Sequence, residues 1–447
     1  MGIMRTIIIL LDGLGDRPSK VLDNKTPLEY ANTPNLDKLA ENAMTGLMTP
    51  YKEGIPLGTE VAHFLLWGYD IKDFPGRGVI EALGEDVKIE ENAIYLRATF
   101  GFVKRDDDGF YVIDRRTKDI NIEEIEKLVD SLPNCIDGYK FELIYSYDVH
   151  FILKIKEKNG WISDKISDSD PFYKNRHVMK VFPVREVCEN DTEYKKAKNT
   201  AEALNKYLLK CHKILKNHAI NIKRKNMGKQ TANFLLTKWA GKYPKGNLKD
   251  SNSTVFYKNK VIPSFKEKWG INGVIIANSS LFKGLAKLLK MDYIMANSFE
   301  EGIKIGIELK NYDFIHIHTK DIDESSHKKD PMEVVKVIEK IDSYLSPLLD
   351  LKNDLVVITA DHSTPSVGTL IHSGESVPIA IIGKNVRVDD VKRFNEKECS
   401  KGHLRIYSND LMNIILNYTD RALLYGLRSG DRIIPYIPND DEVKHLK

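Results

Sequence analysis

The chain has 447 residues, 42% hydrophobic and 29% charged, which describes a soluble globular protein too long for one ordinary core. Its 67 basic and 64 acidic residues leave a net charge of only +3, so no whole-protein field gathers nucleic acid and no nucleic-acid partner is expected. Four cysteines, at 135, 188, 211 and 399, are scattered without a CxxC pair, which argues against a disulfide framework and a thiolate zinc site.

The first element is the apolar run TIIILLD, residues 6–12, read as a buried strand ending on Asp12. It is short and leads into Asp-Gly-Leu-Gly without a small-residue cleavage pattern, so it does not read as a signal peptide. No later apolar run approaches the ~20 residues of a membrane span. No membrane partner is expected, and the expected compartment is the cytoplasm.

Next, GIPLGTEVAHFLLWGYD sets Thr59 at the head of a helix expected to run to Trp67. The amides at such a helix start favour a bound phosphate, and a hydroxyl held against a metal can attack phosphorus. The same local pattern also fits Thr59 as a plain N-cap.

From about residue 90 to 260 the character changes: an acidic turn KRDDDGFYV, a helical NIEEIEKLVDSL, a strand-like VHFILKIK and a long basic helix over 191–220. Residues 91–259 are therefore expected to form an inserted α+β cap domain. The lysines of the long helix read as a solvated face.

Two further strand-like runs follow, DFIHIHTKDID leading to Asp323 and DLVVITADH ending on Asp361-His362. Between them PMEVVKVIEKIDSYL places apolar residues at 334, 335, 338, 341 and 345, a helix with Pro331 in its first turn. The expectation is an α/β fold: a mostly parallel central sheet flanked by helices, built discontinuously from residues 1–90 and 260–447.

Ligands of open α/β sheets collect beyond the carboxyl ends of the strands. Asp12, Asp323 with His327, Asp361-His362 and then His372 would all face that edge. Oxygen and nitrogen donors in this mixture suit divalent metals, and as free ions they would repel one another or lose solvation. Taken singly, each also reads as a cap, a turn residue or a satisfied histidine. Taken together they point to two divalent cations.

The fragments LLDGLGDRP, KTPLEYANTPNLDKLAENAMTGLM, GTEVAHFLLWGYD, GRGVIEALG, DFIHIHTKDIDESSH, VVITADHSTPSVGTLIHSGESVPIAII and DLMNIILNYTDRALLYG resemble the cofactor-independent phosphoglycerate mutases of archaeal type. The resemblance runs from residue 4 to about 430 and is thin in the middle. It implies an alkaline-phosphatase-like core, with Thr59 standing where the family's nucleophilic serine would be. It also implies one metal on Asp12, Thr59, Asp361 and His362, and another on Asp323, His327 and His372, the ions being manganese, magnesium, cobalt or zinc. The partner implied is a small phosphorylated substrate, 3-phosphoglycerate or 2-phosphoglycerate, interconverted while the cap retains the glycerate. A homo-oligomer is compatible with the family. His63 matches a histidine of the family motif, either touching substrate or packing at the helix.

Departures from the family pattern fall on substrate recognition. Thr59 replaces serine, Phe151 stands where an arginine is expected, and Lys238-Trp239-Ala240-Gly241 stands for Arg-Gly-Ala-Gly. YIMANSFEEG replaces a segment with Ala-Thr-Gly. Lys238 would hold an anion only as a point charge, where arginine forks. Lys283 either meets a phosphate or is a plain surface lysine. A second reading therefore stays open, a phosphatase or phosphotransferase acting on another small phosphorylated metabolite. A catalytically silent binding protein is the third, and the intact ligand set argues against it.

Overall fold

The structure, a computed structural model, describes residues 4–244, 262–426 and 434–439. The chain divides into two compact units, one built from residues up to Phe74 and from Ile262 onward, the other beginning at Pro75. This division falls earlier than the expected boundary at residue 90. Helix Arg77–Gly84 lies in the second unit because Val79 and Ala82 pack with Ala93, Tyr95 and Ile152 there. The other expected boundary, near residue 260, lies outside the described residues.

The first unit is an α/β layer around an eight-stranded sheet. Its strand order is Asp292–Met295, Gly273–Ala277, Phe314–Thr319, Thr6–Leu11, Leu355–Thr359, Val377–Ile382, Met44–Thr49 and Leu404–Tyr407. Among the described strands, Val377–Ile382 alone runs against the others. Thr6–Leu11 is buried at every residue, as a β-branched run without a polar face must be when helices cover both sides of the sheet. Helix Pro331–Tyr344 begins with Asp330 accepting from the Met332 and Glu333 amides, and it buries Val334, Val335, Ile338 and Ile341. That is the face its three- and four-residue spacing predicts.

Register places the chemistry. Leu10 lies beside both His318 and Thr359, and Leu11 lies beside Thr319. Two more residues along the parallel pair bring Asp12 level with Asp361.

The second unit is an antiparallel sheet in the order Phe110–Asp114, Ala93–Arg105, His150–Glu157, Tyr139–Tyr147, Cys135–Ile136, with Phe234–Gly241 also paired to Ala93–Arg105. Helix Asp191–Asn217 lays Ala197, Ala201, Leu204, Leu208, Cys211 and Leu215 into its core. Among the described residues no helix is long and apolar enough to cross a membrane.

Candidate active site

At the carboxyl edge of the first sheet two groups of ligand-type side chains assemble. Asp12, Asp361 and His362 form one, and Asp323, His327 and His372 the other, with ligand atoms inside each group no more than 4.8 Å apart. Asp12 and Asp361 come directly off neighbouring strands. Asp323 does not end its strand as expected; it sits in the short helix Asp321–Ser326, which puts His327 one turn on, with its Nε2 3.1 Å from Asp323 Oδ2. His372 lies on a loop, with its Nε2 3.5 Å from Asp323 Oδ1. The His362 and His372 rings stack at 3.8 Å and join the two groups.

The imidazole protons can be assigned from their partners. His372 Nδ1–H donates to the Leu57 carbonyl at 2.6 Å, which leaves Nε2 as a lone pair facing Asp323. Thr364 spends its hydroxyl proton on Asp323 Oδ1 at 2.7 Å, so it accepts from His362 Nδ1–H at 3.2 Å. The His362 Nε2 lone pair then faces Asp12 Oδ1 at 3.3 Å and Asp361 Oδ2 at 3.2 Å. Those two carboxylate oxygens are buried and receive no hydrogen bond. Burial pushes the carboxyls of Asp12 and Asp361 well above the usual range, and the charge of Asp323 adds to it in both. Asp323 goes the other way: burial would raise it, but the imidazoles of His327 and His372, when they carry a proton on the nitrogen that faces it, hold it low, and a cation would take the place of those protons. Orphaned oxygens beside free imidazole lone pairs are what a divalent cation satisfies, and the sulfur-free donor set fits one.

Thr59 is the first residue of helix Thr59–Leu66, with Gly58 as the N-cap, so it is not a plain cap. Its half-buried hydroxyl lies 3.2 Å from His362 Nε2 and is not spent on its own helix. His63, one turn on, is fully buried and donates from Nδ1 to the Thr59 carbonyl at 2.7 Å. Its ring packs edge-on to Phe282, His316, His318 and Trp67, so it offers no surface to a substrate and the substrate-binding expectation gives way to packing. Lys283 is half-buried in the first turn of helix Ser280–Leu289, beyond strand Gly273–Ala277.

Three supports escape the reading of the sequence. His318 bonds Asp12 Oδ2 through Nε2 at 3.0 Å, and Thr364 bridges the two groups. Lys329 Nζ donates to the Pro365 and Leu370 carbonyls at 2.6 and 2.7 Å, tying down the loop that leads to His372. A visible signal existed only for His318, as a histidine interrupting the apolar run FIHIHT.

In the second unit Phe151 is 0% exposed and packs edge-on to Phe100, so the position expected to carry an arginine belongs to the core in this chain. Cations gather elsewhere in the unit. Arg115 grips Asp170 with two bonds of 2.8 and 2.6 Å, while Arg77 and Arg97 each hold Glu81 at 2.8 Å. Lys238 Nζ stands 3.5 Å from Asp170, and burial lowers its ammonium to about 8. Burial and then the charges of Arg97, Arg116, Lys238 and Arg115 push the His150 imidazole down to about 3.

A parallel-sheet core carrying two carboxylate–imidazole groups defines a metal-dependent enzyme, and the profile of the Metalloenzyme superfamily matches residues 4–418. The chain is 69% identical over 444 residues to the 2,3-bisphosphoglycerate-independent phosphoglycerate mutase 2 of Methanocaldococcus jannaschii, covering 99% of this chain and 100% of that one. It is 35% identical to the 2,3-bisphosphoglycerate-independent phosphoglycerate mutase of Pyrococcus abyssi, covering 94% and 98%. The solved cofactor-independent phosphoglycerate mutase of Thermoplasma acidophilum superposes with a TM-score of 0.59 at 30% identity, covering 93% of this chain and 100% of that one. The chain belongs to the 2,3-bisphosphoglycerate-independent phosphoglycerate mutase family.

Proposed function

We propose that this protein interconverts 3-phosphoglycerate and 2-phosphoglycerate through a phosphothreonine at Thr59. The observation that carries the reading is the Thr59 hydroxyl, 3.2 Å from His362 Nε2 at a helix head, beside buried carboxylate oxygens that lack donors. Asp12, Thr59, Asp361 and His362 would hold one divalent cation and Asp323, His327 and His372 a second, drawn from manganese, magnesium, cobalt or zinc. Such cations acidify a hydroxyl and neutralise phosphoryl oxygens.

The residues do the rest. The Thr59 oxygen loses its proton as it bonds phosphorus, the substrate C3–O–P link breaks, and the departing hydroxyl takes up a proton. In the second transfer the C2 hydroxyl loses its proton, takes the phosphoryl group from Thr59, and the threonine hydroxyl is restored. First-turn amides of helix Thr59–Leu66 stabilise the phosphoryl charge. His318 and Thr364 orient Asp12, His362 and Asp323 throughout.

Between the half-reactions the glycerate must stay bound. The phosphatase alternative is not favoured, because the relatives named as mutases match along almost the whole chain. A multiply charged phosphorylated acid does not cross a bilayer unaided, so this reading puts the enzyme with its substrate in the cytoplasm.

The test is phosphorus NMR of the purified protein with 3-phosphoglycerate and manganese. A 2-phosphoglycerate resonance is expected. Free phosphate without it would overturn the mutase reading, and unreduced turnover by Thr59→Ala would remove Thr59 from it.

A further inference from the structure

The chain approaches Thr59 through residues 50–58, and this approach rests on the loop that carries His372. The Gly54 amide donates to the Gly374 carbonyl at 3.0 Å. A β-carbon at Gly374 would come 2.2 Å from the Gly54 carbonyl carbon and 2.3 Å from the Ile55 amide nitrogen, so the two backbones touch and only glycine fits at 374. Gly54 holds a φ of +78°, which glycine adopts without strain. Beside this contact the hydroxyls of Thr49 and Ser376 both reach Glu53 Oε1, at 2.9 and 3.2 Å.

The backbone under the contact is itself held. On either side of Gly374 the Ser373 amide donates to the Ser363 carbonyl at 2.9 Å, and the Ser363 hydroxyl donates to the Glu375 carbonyl at 3.1 Å. Three residues beyond Gly54 the approach meets the same loop again, because the Leu57 carbonyl is the acceptor of His372 Nδ1–H at 2.6 Å. Metal-binding histidines commonly fix their ring and tautomer through a carbonyl on the second nitrogen. Here that carbonyl lies two residues before the hydroxyl that attacks. Leu57 also packs with Ala62 and Leu65 of helix Thr59–Leu66, so a displacement of its carbonyl is passed to Thr59.

We propose that Gly374 is a positioning residue: it docks the approach segment on the His372 loop and so couples the second ligand group to the place of the Thr59 hydroxyl. The proposal rests on the reading of Thr59 as nucleophile. An imidazole held at Nε2 orders the Leu57 carbonyl through Nδ1, and by linkage an ordered carbonyl strengthens what Nε2 binds. Relieving a β-carbon from 2.2 Å to an ordinary contact of 3.4 Å takes a shift of roughly 1 Å, and misplacement on that scale costs about a hundredfold in rate.

The test takes the full-length protein stripped of metal, with manganese as the probe. It follows hydrogen–deuterium exchange of residues 52–62, manganese affinity by calorimetry, and the kinetics of the loaded enzyme, with circular dichroism to check the fold. In the wild type manganese is expected to slow exchange across 52–62 about tenfold. Gly374→Ala should lose that protection, bind one manganese about tenfold more weakly and cut kcat about a hundredfold, with KM for 3-phosphoglycerate within about threefold. Gly368→Ala is the control: it strains the same loop at a φ of +75°, where a β-carbon meets nothing within 4 Å, and should leave protection, affinity and kcat within about twofold. Glu53→Ala loosens the dock without a collision and should lower protection and kcat about fivefold. Wild-type exchange indifferent to manganese, or a folded Gly374→Ala that keeps affinity and kcat, would overturn the proposal. Should Gly374→Ala fail to fold, unchanged protection and kcat in Glu53→Ala would overturn it equally. A wild type that makes no 2-phosphoglycerate yet gains protection on manganese would overturn the mutase reading and leave the coupling standing.

Discussion

Replacing Thr364 by valine removes one hydroxyl and almost no volume, yet that hydroxyl joins the two ligand groups. It donates to Asp323 Oδ1 at 2.7 Å and accepts from His362 Nδ1 at 3.2 Å, at a residue with 0% exposure. A hydrogen bond to a charged group contributes about 1.5–3 kcal/mol and a neutral one about 1 kcal/mol. Valine fills the same space, so no cavity term is added, and the loss comes to about 2.5–4 kcal/mol. If about 2–2.7 kcal/mol of it falls on the oriented ligands, metal affinity drops roughly 30- to 100-fold, in the range of substitutions behind metal-binding side chains. Calorimetric titration of the stripped protein with manganese measures this directly, and circular dichroism checks the fold. Affinities within about threefold of wild type at every site would refute the orienting role and the proton assignment of His362 derived from it.

Thr59→Ala should abolish transfer from 3-phosphoglycerate while leaving the unfolding midpoint in place, whereas Thr59→Ser should stay active; phosphorus NMR and thermal denaturation decide. Asp323→Ala should lower the bound metal by one equivalent, read by elemental analysis after dialysis, with the sheet signal in circular dichroism unchanged. Glu396 is half-buried, accepts from Thr26 Oγ1 and the Asp16 amide, and is pushed by burial to about 7. A raised folded pKa means that its contribution is complete below the unfolded value of 4.5 and is lost as pH rises through about 7. Relative to Glu396→Gln, the wild type should lose about 3 kcal/mol between pH 4.5 and 8, and parallel denaturation curves across that window would contradict the burial argument.

The runs TIIILL and LVVIT announce central strands because a strand covered on both faces has no polar alternation to confuse the reading. Asp12 and Asp361 stand out for the same reason, as charges directly after such runs. Thr364 does not, since its value lies in a partner 41 residues away and a threonine two places past a histidine looks like any turn, while His318 shows only as a break in FIHIHT, its partner 306 residues away. Phe151 misleads for another reason. A gap in a family pattern suggests a lost contact, but in an alternating strand only the pleat decides which side a residue faces, and this one faces the core.

Strand Thr6–Leu11 occupies the middle of its sheet, between Phe314–Thr319 and Leu355–Thr359. Asp12 meets His318 across 306 residues of chain. At a synthesis rate of ~5–20 residues per second, this largely apolar segment waits roughly 15–60 s for its first neighbour to leave the ribosome. The second unit, whose described residues form one continuous stretch, can fold during that interval, while TIIILL needs shelter from aggregation until the chain is nearly finished.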